Sequence, residues 1–156
     1  MVDIMSLEFI NEFTGQYDWL SNFYPSPIVK DDLTYPTVEH FYQSMKMVDK
    51  KDAEFIRLIN LPGRAKNLAK ALPMRHDWNN HLKYDIMSEG LLLKFTQNPE
   101  LGKRLIATGD TVLVEGNRWH DNLWGSCICD ACQKNISHNI LGRKLMELRT
   151  ILSEKV

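Results

Sequence analysis

The sequence predicts an α+β fold: a single compact domain that is mostly α-helical, with a small β-sheet. Apolar residues recur at helical spacing in several long segments, whereas only a few short apolar runs have the length of strands. No glycine/serine linker, charge block or internal repeat divides the chain. The 156 residues are 44% apolar and 25% charged, which is typical of a globular protein. We therefore expect one domain over residues 1–156.

The sheet is expected mainly near the start of the chain. Leu7 to Ile10 is apolar enough for a short strand, and residues 17–27 read as an aromatic, proline-rich loop without a period. Two further short runs, residues 28–29 and 33–35, flank Asp31-Asp32. That arrangement is typical of a β-hairpin with a tight turn.

Helices are predicted from residue 37 onward. Thr37 is the expected N-cap of the first helix, which carries an apolar stripe. The stripe consists of Val38, Phe41, Tyr42, Met45 and Val48. Asp52 is expected to cap a second helix that Pro62-Gly63 stops, and a third helix runs from Arg64 to Leu72.

The second half of the chain is also expected to be helical. Asp77 is the predicted cap of a long helix from Trp78 to about Gln97. Asn98-Pro99-Glu100 predicts the start of the next helix and Gly109 its end. A buried strand is expected from Thr111 to Glu115. A last helix, from Asn139 to Leu152, repeats leucine on one face.

Charge and hydropathy exclude several classes of protein. Nineteen basic and twenty acidic residues leave a formal net charge of −1, whereas a duplex-coating protein needs a positive excess. No apolar run approaches the ~20 residues that span a bilayer. The segment from Met1 to Ile4 lacks the features of a signal peptide. We expect a cytoplasmic protein without a membrane partner.

A polar stripe lies beside the apolar stripe of the first helix. Glu39, Gln43 and Lys46 are spaced so that, at about 100° per residue, they share one face. An acid, an amide and an amine in line can protonate, orient and attack a substrate. The alternative is a solvated edge with weak side-chain pairing.

A second candidate site lies in residues 119–125. Trp119 and Trp124 bracket Asp121, and aromatic faces beside an acid can hold a flat base and move a proton. Tryptophans that cap the core and a turn made by Asp121-Asn122 have the same composition. The residues alone leave these two interpretations open.

Three cysteines, Cys127, Cys129 and Cys132, are crowded into six residues. Their odd number and spacing argue against a disulfide framework. With an imidazole from a flanking histidine, either His120 or His138, they would complete a tetrahedral zinc site of structural kind. Reduced thiols without a metal are the alternative.

Several motifs resemble, in order, those of the NADAR, or YbiA-like, family. The early ones are Leu20-Ser21-Asn22-Phe23 and Tyr35-Pro36-Thr37-Val38-Glu39-His40-Phe41-Tyr42-Gln43. The later ones are Asp77-Trp78, Lys94-Phe95 with Gln97-Asn98, Leu113-Val114-Glu115, Asp121 with Trp124-Gly125, and Asn139-Ile140-Leu141-Gly142 before Leu145-Met146-Glu147-Leu148-Arg149. The resemblance runs from about residue 13 to the C-terminus.

The resemblance implies a hydrolase of ribosyl N-glycosidic bonds. Members of the family cleave phosphoribosylamino-pyrimidine intermediates of riboflavin synthesis, and others remove ADP-ribose from guanine in nucleic acid. The implied catalytic residues are Glu39, Lys46 and Asp121. The implied substrate-binding residues are Asn22, Phe23, Gln43, Trp78, Trp124, Gly125 and Asn139. No cofactor is expected for catalysis, and no oligomeric state is assigned.

Two positions modify this expectation. The family often has Gly-Arg where this chain has Ala69-Lys70, so an ammonium replaces a guanidinium that can bind phosphate through two bonds. His40 points away from the polar stripe and is expected to be structural. The alternative function is a module that binds ADP-ribose or another nucleotide without turning it over.

Overall fold

The structure, a computed structural model, describes residues 7–155. Met1 to Ile4, used above to argue against a signal peptide, lie outside the described residues. Among those described, the chain forms two compact units. The central unit consists of residues 22–99, and the terminal unit combines residues 7–21 with residues 100–155. Within residues 7–155, no helix has both the length and the apolar character needed to cross a membrane.

The central unit begins with the predicted β-hairpin. Strands β2 (Ile28–Lys30) and β3 (Leu33–Tyr35) pair antiparallel, with Val29 opposite Thr34. Asp31 and Asp32 have φ values of 50° and 65°, the left-handed conformation that a two-residue turn requires. The Gln97 side chain ties this hairpin down, because its amide bonds both the N–H and the carbonyl of Val29, at 2.7 and 2.8 Å.

Four helices complete the central unit. They are α1 (Val38–Met45), α2 (Lys50–Arg57), α3 (Pro62–Ala69) and α4 (Lys83–Gln97). Helix α1 packs against each of the other three. Thr37 caps α1 as predicted, since its hydroxyl accepts the His40 N–H at 3.1 Å. Met47, Ile56 of α2, and Ala65 and Ala69 of α3 form a buried cluster.

Several boundaries in the central unit differ from the predictions. Helix α1 ends at Met45, so Val48 leaves the apolar stripe and is exposed. Asp49, not Asp52, caps α2, because its carboxylate accepts the Lys51 N–H at 2.7 Å. Pro62 begins α3 rather than ending α2, since a proline is well accommodated in the first helical turn.

The long helix predicted from Trp78 is divided. Residues Trp78–Leu82 form a π-helical turn that is interrupted at Asn80, and the regular α-helix begins at Lys83. The Asp77 side chain does not cap this turn; it is paired with the Arg75 guanidinium instead.

The terminal unit holds short parallel strand pairs and two helices. Strand β1 (Phe9–Ile10) pairs with β4 (Val112–Leu113), and β5 (Gly116–Asn117) pairs with β6 (Ser126–Cys127). Short 3₁₀ helices cover Gly15–Leu20 and Asp130–Cys132. Helix α5 (Pro99–Ala107) joins this unit from Glu100 onward, and α6 (Ile140–Glu154) packs on β4.

At two predicted helix starts, Asn98 and Asn139, the side chain has a different role from capping the helix that follows. Asn98 ends α4 rather than only beginning α5, because its amide nitrogen donates to the carbonyls of Lys94 and Pro27. The Asn139 side chain makes no cap for α6. The predicted strand from Thr111 to Glu115 is reduced to the two residues of β4.

Candidate active site and metal centre

Two of the three residues of the polar stripe, Glu39 and Gln43, are buried, so the stripe is not a solvated edge. Glu39 is 7% exposed and Gln43 is 6% exposed. The Gln43 amide nitrogen donates to Oε1 of Glu39 at 2.8 Å. Glu39 also lies in the first turn of α1, where the helix dipole favours a negative charge. The carboxylate is therefore held in one place and orientation by its own helix.

Lys46 lies one residue beyond α1 and is half-buried. Its carbonyl accepts the Arg75 N–H at 3.0 Å, which fixes the backbone there. Burial lowers the pKa of the Lys46 amine, the nearby Glu39 carboxylate partly opposes that change, and the Lys70 ammonium adds to it. A larger fraction of this amine is thus neutral, and able to act as a nucleophile, than in an exposed lysine.

Asn22 is joined to the start of α1. Its carbonyl accepts the Glu39 N–H at 3.1 Å, and its side-chain nitrogen lies 3.4 Å from Sδ of Met87. Phe23 is 41% exposed, with the Lys66 ammonium 6.0 Å from the centre of its ring. The Asn22 backbone is therefore bonded to the first turn of α1, the same turn that carries the Glu39 carboxylate.

Two buried acceptors of the central unit have no hydrogen-bond partner. They are Oδ1 of Asn22 and Oε1 of Gln43. An unsatisfied buried polar group costs roughly 1–3 kcal/mol, so such groups are uncommon in native proteins without a reason. Two amide oxygens on the residues that flank Glu39 are suited to accept hydrogen bonds from a ligand.

Trp78 is buried, with 2% of its surface exposed. Its ring meets Tyr42 edge to face, with the ring centres 4.9 Å apart. The indole therefore supports Tyr42 of α1 from behind, and little of its own face is left for a ligand.

In the terminal unit, Asp121 forms a turn. Its Oδ1 accepts the N–H groups of Leu123 and Trp124, at 3.1 and 2.9 Å. Asn117 holds the Asp121 backbone from both sides, accepting its N–H at 3.1 Å and donating to its carbonyl at 2.8 Å. The turn interpretation of this segment is thus correct for Oδ1, and these bonds leave Oδ2 uncommitted to the turn.

Gly125 and Asn139 have clear structural roles. A Cβ on Gly125 would lie 2.1 Å from the Glu115 carbonyl oxygen, so only glycine fits there. The Asn139 side chain bridges the chain on either side of Val114, accepting the Glu115 N–H at 3.0 Å and donating to the Leu113 carbonyl at 2.9 Å.

The three cysteines converge on one histidine. We call this group the thiol cluster: His120, Cys127, Cys129 and Cys132. Their ligand atoms all lie within 4.8 Å of one another, so the group could hold a metal ion. His138 is not part of it; its backbone N–H donates to the Asn122 carbonyl.

Cys127 has a lowered pKa. Burial raises its pKa, but hydrogen bonds to its sulfur from the Cys129 and His120 backbones and from the other two thiols lower it overall to about 6. The pKa of Cys129 is raised, mainly because its thiol hydrogen-bonds to Cys127. The cluster therefore stabilises a thiolate even before a metal is considered.

His40 is structural, as predicted. It is fully buried, its Nδ1 lies 2.8 Å from the Thr37 hydroxyl, and its Nε2 lies 2.7 Å from the Ile59 carbonyl. A carbonyl can only accept, so Nε2 carries the proton and Nδ1 accepts from Thr37. Both ring nitrogens are satisfied in the neutral form.

Sequence reasoning missed Asn117 and Tyr42. Asn117 is 2% exposed and also accepts the Trp119 N–H at 3.3 Å, so it organises the segment that carries Asp121. An asparagine shortly after the predicted strand 111–115 could have indicated a turn-holding role. Tyr42 was assigned to the apolar stripe alone, and nothing in the sequence pairs it with Trp78.

The comparisons with known proteins agree on one family. The NADAR domain model matches residues 8–153. The N-glycosidase Npun_R5314 of Nostoc punctiforme is 38% identical over 146 residues, which is 88% of this chain and 89% of that protein. The riboflavin biosynthesis protein VVA0006 of Vibrio vulnificus is 35% identical over 145 residues, 88% of this chain but 36% of that longer protein.

A solved structure agrees with the fold. The N-glycosidase YbiA of Escherichia coli is 34% identical over 154 residues, 96% of this chain and 92% of that protein. Its NMR structure matches this one with a TM-score of 0.83, covering 97% of this chain and 89% of that chain. The protein therefore belongs to the NADAR domain family, and its α+β, mostly helical fold is the fold of YbiA.

Proposed function

We propose that this protein is an N-glycosidase, a hydrolase that breaks the bond between ribose and a nitrogen of a base. The observation that carries the proposal is the pair of charged groups along and just beyond α1, in which a fixed and buried carboxylate, Glu39, lies near a half-buried amine of lowered pKa, Lys46. The names of the relatives from Nostoc and Escherichia support the reaction class. The Vibrio relative is named a riboflavin biosynthesis protein, which agrees with the substrate class that the family resemblance implies, a phosphoribosylamino-pyrimidine.

The reaction consumes one water. The bond between the anomeric carbon and the base nitrogen breaks, the water oxygen ends on that carbon, and a proton ends on the departing nitrogen. In the proposed sequence Lys46 attacks the anomeric carbon of the ring-opened sugar and displaces the base as a free amine. Water then hydrolyses the resulting imine and regenerates the lysine.

The surrounding residues have separate roles. Glu39 accepts the proton that Lys46 loses on attack and returns it to the leaving nitrogen. The partnerless oxygens of Asn22 and Gln43 accept hydrogen bonds from ribose hydroxyls or pyrimidine N–H groups. Phe23 offers a partly exposed ring to the base. Trp78 is a positioning residue that acts through Tyr42.

The terminal unit's site residues enter the proposal as predictions from the sequence. Asp121 supplies a second carboxylate through Oδ2 and Trp124 an aromatic surface. Gly125 and Asn139 keep the backbone around them in place.

The reaction uses no cofactor in this proposal. Zinc enters only as a structural ion bound by Cys127, Cys129 and Cys132. Sites with four protein ligands are closed, whereas catalytic zinc keeps an open position for water or substrate.

The imine can be trapped. The protein is incubated with a phosphoribosylamino-pyrimidine and borohydride, and the adduct is located by peptide mass spectrometry. We expect a reduced sugar adduct on Lys46, none in Lys46→Arg, and an unchanged adduct in the exposed control Lys51→Arg. Turnover without any adduct would overturn the imine mechanism and favour direct attack of water on the anomeric carbon.

The same assay separates the alternatives. Release of ADP-ribose from modified guanine in DNA, with no cleavage of the pyrimidine substrate, would reassign the substrate. Tight ADP-ribose binding with no release from either substrate would make the protein a binding module and overturn the enzyme proposal.

Asp121→Asn tests the second carboxylate without disturbing its turn. An asparagine Oδ1 can still accept the Leu123 and Trp124 N–H groups, so we expect unchanged stability. If Oδ2 moves a proton, turnover falls by roughly 100- to 10,000-fold. Unchanged turnover in steady-state kinetics would remove Asp121 from the reaction.

A further inference from the structure

We infer that the thiol cluster binds one zinc ion, and that the bound ion fixes the turn that begins at Asp121. Neither the binding of the metal nor the order of the turn rests on the proposed function. All the residues concerned lie in the terminal unit.

The spacing of the ligand atoms fits a tetrahedral ion. Zinc bonds of about 2.3 Å to sulfur and 2.0–2.1 Å to nitrogen place sulfur and nitrogen about 3.6 Å apart across a tetrahedral angle. Nδ1 of His120 lies 3.2 Å from Sγ of Cys132, 3.4 Å from Sγ of Cys129 and 3.8 Å from Sγ of Cys127. The three distances bracket the expected value, which is what ligands around one tetrahedral ion would show.

The donor set selects the metal. Three thiolates and one imidazole form a Cys₃His set, which is a structural zinc arrangement. Magnesium and calcium prefer oxygen ligands, and none of the four donors is an oxygen. Because all four positions are supplied by the chain, the ion has no vacancy for a substrate.

Backbone hydrogen bonds shape the site on both sides. The Cys127 N–H donates to Oδ1 of Asn122 at 2.9 Å, and the Cys132 N–H donates to the Cys129 carbonyl at 3.1 Å. Cys127 and Cys132 are each 5% exposed, so two of the three sulfurs are shielded from solvent. The sulfurs are thereby presented together before an ion arrives.

The backbone of His120 is strained in this arrangement of the thiol cluster. Its φ is 67°, a left-handed conformation that a non-glycine residue adopts at some energetic expense. In this conformation the exposed His120 directs its ring at the three sulfurs. Coordination supplies the stabilisation that offsets the strain.

The ion reaches Asp121 through the chain. Asp121 follows His120 directly, and its Oδ1 accepts from Leu123 and Trp124. Between His120 and Cys127 the chain thus makes this turn and then enters β6. Coordination at both ends closes the segment into a loop, which lowers the entropy that the turn can gain by opening.

Metal content tests the first part. Tag-free protein purified under reducing conditions is expected to contain one zinc per chain by elemental and native mass spectrometry. Loss of an outer partner of a ligand costs 10- to 100-fold in affinity, so loss of a ligand in His120→Ala or Cys129→Ser should cost more than about 100-fold. The matched control is His138→Ala, an imidazole outside the cluster, which should bind zinc as the unaltered protein does.

Cobalt substitution tests the site in the unaltered protein and so does not depend on the folding of any variant. The unaltered protein loaded with Co²⁺ should give the visible spectrum of a tetrahedral site with thiolate charge transfer. Protein that contains no zinc and gives no such spectrum would overturn the site. Unaltered zinc affinity in His120→Ala would overturn the four-ligand assignment.

Amide hydrogen exchange tests the second part independently of activity. Removing zinc with a chelator should speed exchange of the Leu123 and Trp124 amides by at least about tenfold, while the His40 amide of the central unit stays unchanged. Equal protection with and without zinc would overturn the role of the ion in the turn. Absence of glycosidase activity would leave both measurements interpretable.

Discussion

One negatively charged residue and one positively charged residue act on the pKa of the Lys46 amine in opposite directions. Glu39 favours the ammonium form, and Lys70 opposes it. Lys70 stands where the family often has an arginine. This departure from the family pattern therefore affects the pKa of the proposed nucleophile, Lys46. The amine must lose its proton to attack, so activity should rise with pH as the ammonium form titrates.

Lys70→Ala should move the rising limb of the activity–pH profile to higher pH. Removing a positive neighbour stabilises the ammonium form and so raises the pKa of Lys46. Steady-state rates across pH measure the shift. Lys50→Ala, an exposed lysine of α2, is the control and should leave the profile in place. A shift to lower pH would contradict the assignment.

His40 should make stability depend on pH. Burial lowers the pKa of its ring below the ordinary 6.5, and the hydrogen bond to Ile59 only partly opposes that change. Below pH 6.5 the His40 ring is therefore protonated more readily in the unfolded chain than in the folded protein. The free energy of unfolding is expected to fall as pH drops from 6.5 towards the lowered pKa, and to be independent of this group above 6.5.

Urea unfolding between about pH 7.5 and about pH 5 measures this dependence. His40→Gln removes the titrating ring and should reduce the slope, although it also lowers stability at every pH by roughly 2–4 kcal/mol through lost hydrogen bonds. The exposed His81→Gln is the control, and its slope should match that of the unaltered protein. An unchanged slope in His40→Gln would remove His40 as the cause.

Among the elements, α6 depends on a close approach to β4. A Cβ on Gly142 would lie 2.1 Å from the Leu113 carbonyl oxygen, so the helix and strand fit only with glycine there. The Asn139 side chain bonds this same stretch of backbone. The motif Asn139-Ile140-Leu141-Gly142 is thus explained by packing.

Gly142→Ala should destabilise the protein by about 1–3 kcal/mol or more, because the backbone must move to admit a methyl group. The matched control is Gly63→Ala in α3, whose Cβ would have Phe23 as its nearest neighbour at 3.9 Å. That change should be neutral or stabilise by up to about 1 kcal/mol, since alanine restricts the unfolded chain. Equal unfolding midpoints in urea for the two variants would contradict the packing account.

Patterns within one element predicted that element well. The β-hairpin and the Thr37 cap of α1 are confirmed, since each depends on neighbours in sequence. The predicted start of α2 was wrong by three residues, because Asp49 and Asp52 are both suitable caps and the cap preference of aspartate does not distinguish them. The π-helical turn after Asp77 left no periodic signal.

At the scale of the whole molecule, the formal net charge of −1 limits the partners. Affinity for duplex DNA comes largely from neutralising phosphates, and this chain has no positive excess to supply it. Even if modified guanine were the substrate, recognition would depend on the nucleotide rather than on the duplex.

Unmodified duplex DNA should therefore bind weakly. Fluorescence anisotropy at about 150 mM salt is expected to show no saturable binding at micromolar protein, and the rate on a small nucleotide substrate should change by less than roughly tenfold between about 50 and 200 mM salt. Saturable binding with a steep dependence on salt would contradict this inference.

The sequence by itself determined the family, the hairpin, the first helix and most of the residues now proposed for the site. Those features follow from local preferences and from motifs in a fixed order. Only the tertiary structure showed that Glu39 and Gln43 are buried, that Trp78 supports Tyr42, and that His120 rather than His138 meets the three thiols. Burial and ligand geometry depend on residues distant in sequence, and no pattern along one segment can specify them.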